Sequence, residues 1–150
     1  MYECMYPQKL QQLLDTFELF PDPADRTGLL LSYSDQFREV PADVAQRPFP
    51  KSHQVPQCES DAYVWAVQRP DGTLKLHFAV ENPSGVSARA LAAILDKTLS
   101  GLAPSDIAGV DCGIVERIFR QNISMGKGMG LMAMVNAVSA LAKQASASRT

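Results

Sequence analysis

The stretch AYVWAVQRPDGTLKLHFAV, residues 62–80, decides the fold. In each half, apolar residues alternate with other residues, which is the period of a half-buried strand. The alternating apolar residues are Tyr63, Trp65 and Val67 in the first half and Leu74, Leu76, Phe78 and Val80 in the second. Between the halves, Pro70-Asp71-Gly72 is typical of a tight turn. The pattern predicts two antiparallel strands that form a hairpin.

Helices are predicted on both sides of this hairpin. Apolar residues recur with helical spacing in five segments, at residues 10–20, 29–37, 87–100, 114–119 and 131–142. Asp22 and Pro23 predict the start of the second helix, Gly101 predicts the end of the third, and Pro104 begins a short helical turn. Because strands and helices do not alternate along the chain, we expect an α+β fold in which helices pack on a small antiparallel sheet.

The segment between Val40 and Pro56 is rich in proline. Proline lacks an amide donor and disfavours helix in the residue before it, so this segment is predicted to be a loop or an extended strap. An isolated hairpin is only marginally stable in water. We therefore expect a third strand, and residues 53–55 are the candidate.

Length and charge limit the class of protein. A chain of 150 residues with 46% hydrophobic residues can form an ordinary core, and we expect a single domain with its core at about residues 7–143 and a frayed tail at 146–150. The formal charge of −2 offers no basic surface for phosphates, so binding to nucleic acid or anionic membranes is not expected. No segment resembles a signal peptide or a membrane span. We expect a cytoplasmic protein.

The three cysteines, Cys4, Cys58 and Cys112, stand far apart and form no C-x-x-C pair. Neither a disulfide framework nor a local metal site is indicated. Cys58 follows the extended pair Val55-Pro56 and precedes the first strand, so we expect its thiol in a turn that is presented to another protein. Cys4 and Cys112 are interpreted as small buried apolar residues, the usual state of a free cysteine. The sequence thus predicts sulfur chemistry at Cys58.

Four segments, in order along the chain, resemble segments of the SufE family of sulfur-acceptor proteins. They are residues 17–26 (FELFPDPADR), 55–60 (VPQCES), 100–107 (SGLAPSDI) and 125–134 (MGKGMGLMAM). The resemblance covers about residues 7–143 and implies an α+β fold shared with IscU-type scaffolds. It also implies a protein that takes persulfide sulfur from a SufS-like pyridoxal-phosphate cysteine desulfurase, stimulates that enzyme and passes the sulfur to a SufBCD-like iron–sulfur scaffold. Cys58 matches the acceptor cysteine.

The same resemblance implies partner contacts beside Cys58 and in a glycine-containing loop before the last helix. The residues concerned are Gln57, Glu59, Ser60, Gly126, Lys127 and Gly130. Lys127 stands where the family usually has arginine, so the charge is retained but the planar, bidentate fork is lost. Gln57 stands where the family commonly has glycine, so a position that needs a positive φ would be strained or differently shaped here.

The reactivity of the Cys58 thiol depends on its thiolate fraction, its nucleophilicity and its accessibility. An ordinary thiol has a pKa of about 8.5, so only a few per cent is ionised at pH 7. Glu59 and Asp61 raise that pKa if they lie near the sulfur, whereas Lys51, His53 or Lys127 lower it. The sequence leaves open which group lies closer, and we expect docking on the partner to supply most of the activation.

Two other classes of protein stay open. An IscU-like iron–sulfur scaffold needs three converging cysteine-type ligands, and a Cys-His hydrolase needs His53 or His77 beside Cys58 together with an oxyanion hole. No cofactor or metal site is predicted, because two histidines and dispersed cysteines supply too few ligands. His77 is expected to face solvent, and the methionines between residues 125 and 134 are expected to fill gaps in the core.

Overall fold

The computed structural model describes residues 6–56, 61–82 and 85–148, with side chains of the last helix described through residue 147. Its helices are α1 (Gln8–Glu18), α2 (Pro23–Asp35), α3 (Val86–Leu99), α4 (Pro104–Ala108), α5 (Gly113–Phe119) and α6 (Met125–Ser148). Its strands are β1 (Ala62–Gln68) and β2 (Leu74–Val80). The predicted α+β class is confirmed. None of the described helices combines the length and the apolar content that crossing a bilayer requires.

β1 and β2 form the predicted antiparallel hairpin. Ala62 pairs with Val80 at one end, and Gln68 pairs with Leu74 at the other, where the turn lies. Gly72 in that turn has a φ of +91°, a conformation that glycine adopts without steric cost. The end at Ala62 and Val80 is called the open end of the hairpin below, because residues 57–60 precede β1 there.

α3 lies at the centre of the main core. Nine of its 14 residues are buried, and it packs against β2 on one side and α2 on another. α1 and α6 complete this core, which extends along the chain from Leu10 to Ala142. The predicted start of α2 and end of α3 have local causes. Asp22 accepts the Ala24 N–H at 2.8 Å, and Gly101 follows α3 with a φ of +94°.

The other face of the hairpin is covered by the proline-rich strap, residues 40–56. Val40 and Phe49 of the strap form a second buried cluster with Trp65 and Ala79 of the hairpin, called the strap cluster below. The rings of Phe49 and His53 each lie 5.3 Å from Trp65, the first edge-on and the second stacked. Both faces of this small sheet are therefore buried, which explains how two strands suffice.

The outer edge of β2 is bonded to groups that are not part of a strand. The Leu74 N–H donates to the Leu102 carbonyl and the Leu76 N–H donates to the Ser100 hydroxyl, both at 3.0 Å. Farther along, the Phe78 carbonyl accepts the Val40 N–H at 2.8 Å.

The prediction of a third strand at residues 53–55 is wrong. Along β1 the described residues show a single bridge between Gln54 and Tyr63, followed by the bond from the Val55 N–H to the Ala62 carbonyl at 2.8 Å. A 3-10 turn at Lys51–His53 precedes this bridge and Pro56 follows it. Since a 3-10 turn is not extended and proline has no N–H, the pairing cannot lengthen in either direction.

The glycine-containing stretch before the last helix is helical rather than the expected loop. α6 begins at Met125, and Ser124 caps it by accepting the Lys127 N–H through its hydroxyl and the Gly128 N–H through its carbonyl. The cap offsets part of the low helix propensity of glycine. α6 also continues to Ser148, so residues 146–148 are helical.

Two expectations about exposure are corrected by the structure. Met134 is buried as expected, but Met125 is 86% exposed and Met129 is 48% exposed. His77 was expected to face solvent but is half-buried, beside a cavity of about 290 Å³ that lies between β2, α3 and the segment after α2. Burial, and to a lesser degree the neighbouring Lys75, lowers the pKa of His77.

Candidate functional site

The predicted acceptor Cys58 and its neighbours Gln57, Glu59 and Ser60 lie outside the described residues. The residues that flank them are described and lie at the open end of the hairpin. The Val55 N–H donates to the Ala62 carbonyl at 2.8 Å, so the chain leaves the sheet and returns to it at nearly the same point. The six residues 56–61 between these two are called the acceptor segment below.

Asp61 sets the return of the chain from the acceptor segment into β1. Its φ is +50°, a left-handed conformation in which aspartate and asparagine are enriched among residues other than glycine. Its carbonyl accepts the Glu81 N–H at 3.1 Å, just past the end of β2. The exit of the acceptor segment is thus hydrogen-bonded to the residue after β2, and the chain continues from it directly into β1.

A three-residue ion network lies beside this exit and was not predicted. Arg47 of the strap donates to both carboxylate oxygens of Glu39 at 2.7 Å and to one oxygen of Glu81 at 2.8 Å. These hydrogen bonds, first to Glu39 and then to Glu81, raise the pKa of Arg47. The partners stand 8 and 34 residues from Arg47, and no local pattern in the sequence signals pairs at such separations.

The two histidines offered as catalytic partners lie on either side of Trp65. The Nδ1 of His53 is 2.9 Å from the Val64 carbonyl, and because a carbonyl can only accept, this nitrogen carries the hydrogen. His77 pairs with Trp65 across the hairpin. Within residues 6–56, 61–82 and 85–148, no three His, Cys, Asp or Glu side chains form a group that could hold a metal ion.

The second predicted contact region is the first part of α6. Gly126 and Lys127 are exposed, but Gly130 is buried and presents no surface to a partner. Two exposed methionines, Met125 and Met129, stand one helical turn apart on one face of α6, and Lys127, two residues from each, lies on a different face. Their exposure was missed because methionine at helical spacing is usually part of a core.

The other cysteines differ in what the structure shows. Cys112 lies at the N-cap of α5 and packs against the main core, but it is half-buried rather than buried as expected. Cys4 lies outside the described residues.

Comparisons with known proteins agree with this architecture. A solved structure, the solution structure of a hypothetical protein from Thermus thermophilus, superposes with a TM-score of 0.73 at 24% sequence identity, covering 95% of this chain and 98% of that one. At that identity the likeness shows the fold alone. No curated protein matches the chain. The family model "SufE: Fe-S metabolism associated domain" matches residues 11–142. Because that match spans most of the chain, the protein belongs to the SufE family and is associated with iron–sulfur metabolism.

Proposed function

We propose that this protein is a sulfur acceptor in iron–sulfur cluster assembly, with Cys58 as the residue that carries the sulfur. The supporting observation is the position of the acceptor segment, whose two ends are bonded to the open end of the hairpin through Val55 and Asp61. A rigid two-stranded base of this kind can hold a reactive side chain out toward a large partner. Family membership supplies the link to iron–sulfur metabolism.

The chemical step is a displacement at sulfur. The Cys58 thiolate attacks the terminal sulfur of a persulfide on the donor enzyme, a new S–S bond forms on Cys58, and the donor's S–S bond breaks. The donor cysteine leaves as a thiolate and takes up a proton. Cys58 then holds the persulfide, and no electrons enter or leave the pair of proteins. A second displacement of the same kind passes the sulfur to a thiol of the receiving scaffold.

The donor in this proposal is a pyridoxal-phosphate cysteine desulfurase, which this protein also stimulates by removing sulfur from its active-site cysteine. Gln57, Glu59 and Ser60 in the acceptor segment, with Gly126 and Lys127 at the start of α6, are the proposed contacts. Exposed Met125 and Met129 add apolar surface at the start of α6. The receiver is an iron–sulfur cluster scaffold complex.

The test is sulfur loading of single-cysteine variants. Wild-type protein incubated with a cysteine desulfurase and cysteine is expected to gain one sulfur, which peptide mass mapping locates on Cys58. Cys58→Ser is expected to lose both the sulfur and the stimulation of the desulfurase, whereas Cys4→Ser and Cys112→Ser retain both. Loading confined to Cys4 or Cys112 would contradict the assignment. One zinc or iron ion per chain that disappears in Cys58→Ser would favour a scaffold instead.

A further inference from the structure

Arg47 joins three separate parts of the chain at the base of the acceptor segment. Its two terminal nitrogens bind Glu39, next to the start of the strap, and its Nε binds Glu81, the residue after β2. The guanidinium carbon also lies 5.0 Å from the centre of the Phe49 ring, which belongs to the strap cluster. Hydrogen bonds to two carboxylates and packing on the Phe49 ring therefore hold the guanidinium in place.

Glu81 connects this network to the acceptor segment. Its side chain accepts the Arg47 bond, and its backbone N–H donates to the Asp61 carbonyl at 3.1 Å. On the other side, the strap that carries Arg47 runs on to Val55, whose N–H is bonded to Ala62. Both ends of the acceptor segment are thus attached to elements that Arg47 holds together.

The geometry distinguishes this network from an ordinary surface ion pair. The Arg47, Glu39 and Glu81 side chains are 52%, 36% and 31% exposed, and isolated pairs at such positions contribute little. Here one guanidinium makes three hydrogen bonds of 2.7–2.8 Å to two carboxylates, one of them bidentate. Bidentate and networked arrangements are the surface pairs that do contribute.

We propose that Arg47 is a positioning residue for sulfur transfer: it clamps the strap to the end of β2 and so fixes the two ends of the acceptor segment relative to each other. The effect on sulfur transfer rests on the proposed function, whereas the clamp itself is formed by residues that the structure describes. A fixed base lowers the ordering cost when the acceptor segment docks on the desulfurase. Loosening the base therefore weakens productive docking more than it slows the displacement itself.

Amide hydrogen exchange, followed by NMR, tests the clamp without any partner. Arg47→Met, which keeps the contact with Phe49 but removes all three bonds, is expected to speed exchange of the Val55 and Glu81 amides about three- to fivefold, while the Leu91 and Ile94 amides in α3 are unchanged. Arg47→Lys is expected to fall in between, because it keeps the charge but loses the fork. Unchanged exchange at Val55 and Glu81 in Arg47→Met would overturn the clamp.

The matched control is Arg117→Met. Arg117 makes a comparably exposed pair with Glu18 at 2.9 Å, remote in the sequence from the acceptor segment and its bonded flanks. This variant is expected to leave the Val55 and Glu81 amides unaffected. Added salt is expected to speed their exchange in the wild type and in Arg117→Met, but to have little effect in Arg47→Met, since the screened interaction is already absent. Equal salt sensitivity in all three proteins would contradict the proposal.

Sulfur transfer provides the functional measurement. In Arg47→Met the concentration needed for half-maximal stimulation of the desulfurase is expected to rise several-fold, with the maximal rate within about twofold of the wild type. A fall in the maximal rate with unchanged half-maximal concentration would contradict the positioning role. If wild-type protein accepts no sulfur, the proposed function fails, and the exchange measurements still decide whether the clamp exists.

Discussion

Arg26 is a charged residue that belongs to the core. Its side chain has no solvent exposure, and its guanidinium donates to four backbone carbonyls at 2.6–3.1 Å. These are the carbonyls of Phe17 and Phe20 at the end of α1 and of Arg117 and Ile118 at the end of α5. The last carbonyls of a helix lack intrahelical partners, and a cation there also favours the helix dipole. One side chain therefore completes two helix C-termini.

Replacing Arg26 with methionine is expected to lower the free energy of unfolding by about 2–4 kcal/mol, because four buried or half-buried backbone carbonyls each lose a hydrogen bond. Arg26→Lys is expected to cost less, since the ammonium keeps the charge but cannot reach all four acceptors. Urea denaturation measures the change. Arg38→Met, at an exposed arginine, serves as the control, and a loss no larger than the control's would contradict this role for Arg26.

At the scale of elements, the start of α6 combines a good cap with a misplaced charge. Ser124 accepts the Lys127 N–H at 3.2 Å, the bond that an N-cap serine makes to the third helical residue. A lysine in the first turn is unfavourable toward the positive end of the helix dipole, where glutamate would complete a capping box. Lys127 therefore lowers rather than raises the stability of this end of the helix.

Lys127→Glu is therefore expected to change stability and binding in opposite directions. The free energy of unfolding should stay level or rise by about 0.5 kcal/mol, and the melting temperature should be unchanged or slightly higher. The complex with the desulfurase should weaken, because the charge of a proposed contact residue is reversed. Lys127→Arg should preserve or tighten the complex by restoring the bidentate fork. Titration calorimetry at two salt concentrations measures the affinity. An unchanged affinity of Lys127→Glu at low salt would remove Lys127 from the interface.

Two glycines are expected to respond to alanine with opposite signs. Gly28 lies inside α2, and a Cβ added there meets nothing within 4 Å, so Gly28→Ala should raise the free energy of unfolding by about 0.5–1 kcal/mol. Gly101 ends α3 with a φ of +94° and has only an ordinary contact at 3.9 Å, so Gly101→Ala should cost about 1–3 kcal/mol through backbone strain alone. Thermal melts compare the two, and equal shifts would contradict the argument.

Elements whose signals are local were predicted from the sequence. The hairpin at residues 62–80, the Asp22 cap and the glycine after α3 each depend on residues within a few positions of one another. The features that were missed depend on contacts across the chain. Arg26 is buried because carbonyls 91 and 92 residues away face it, and the Arg47 network joins residues 34 positions apart.

The candidate site was likewise predicted only in part from the sequence. The family resemblance predicts functional roles for Cys58 and the start of α6, but it gives no account of what fixes the acceptor segment at its base. The stretch around Lys127, expected to be a loop, is helical. The cap at Ser124 offsets part of the cost of its glycines, and this bond depends on how the chain enters α6 after Asn122.

At the scale of the whole molecule, the hairpin separates a large core from a small one. The main core contains residues from all six of the described helices, whereas the strap cluster consists of four buried residues and their half-buried neighbours. The strap cluster also carries the chain to the acceptor segment. Its packing therefore affects both stability and the placement of Val55.

Phe49→Ala is expected to lower the free energy of unfolding by about 3 kcal/mol, because the ring packs between Tyr63 and Trp65 at 5.2 and 5.3 Å. Trp65 is the one tryptophan in the sequence, so its fluorescence should shift to longer wavelength as water reaches the strap cluster. Val67→Ala, at an exposed position of β1, is the control. A native-like emission spectrum in Phe49→Ala would contradict a packing role for the ring.

The bonds along the outer edge of β2 have a consequence for solubility. Unpaired strand edges can template the addition of strands from other molecules, which leads to aggregation. Here Leu102, Ser100 and Val40 already use the hydrogen-bonding groups of Leu74, Leu76 and Phe78. These bonds therefore protect the β2 edge of the sheet from edge-to-edge association with other molecules.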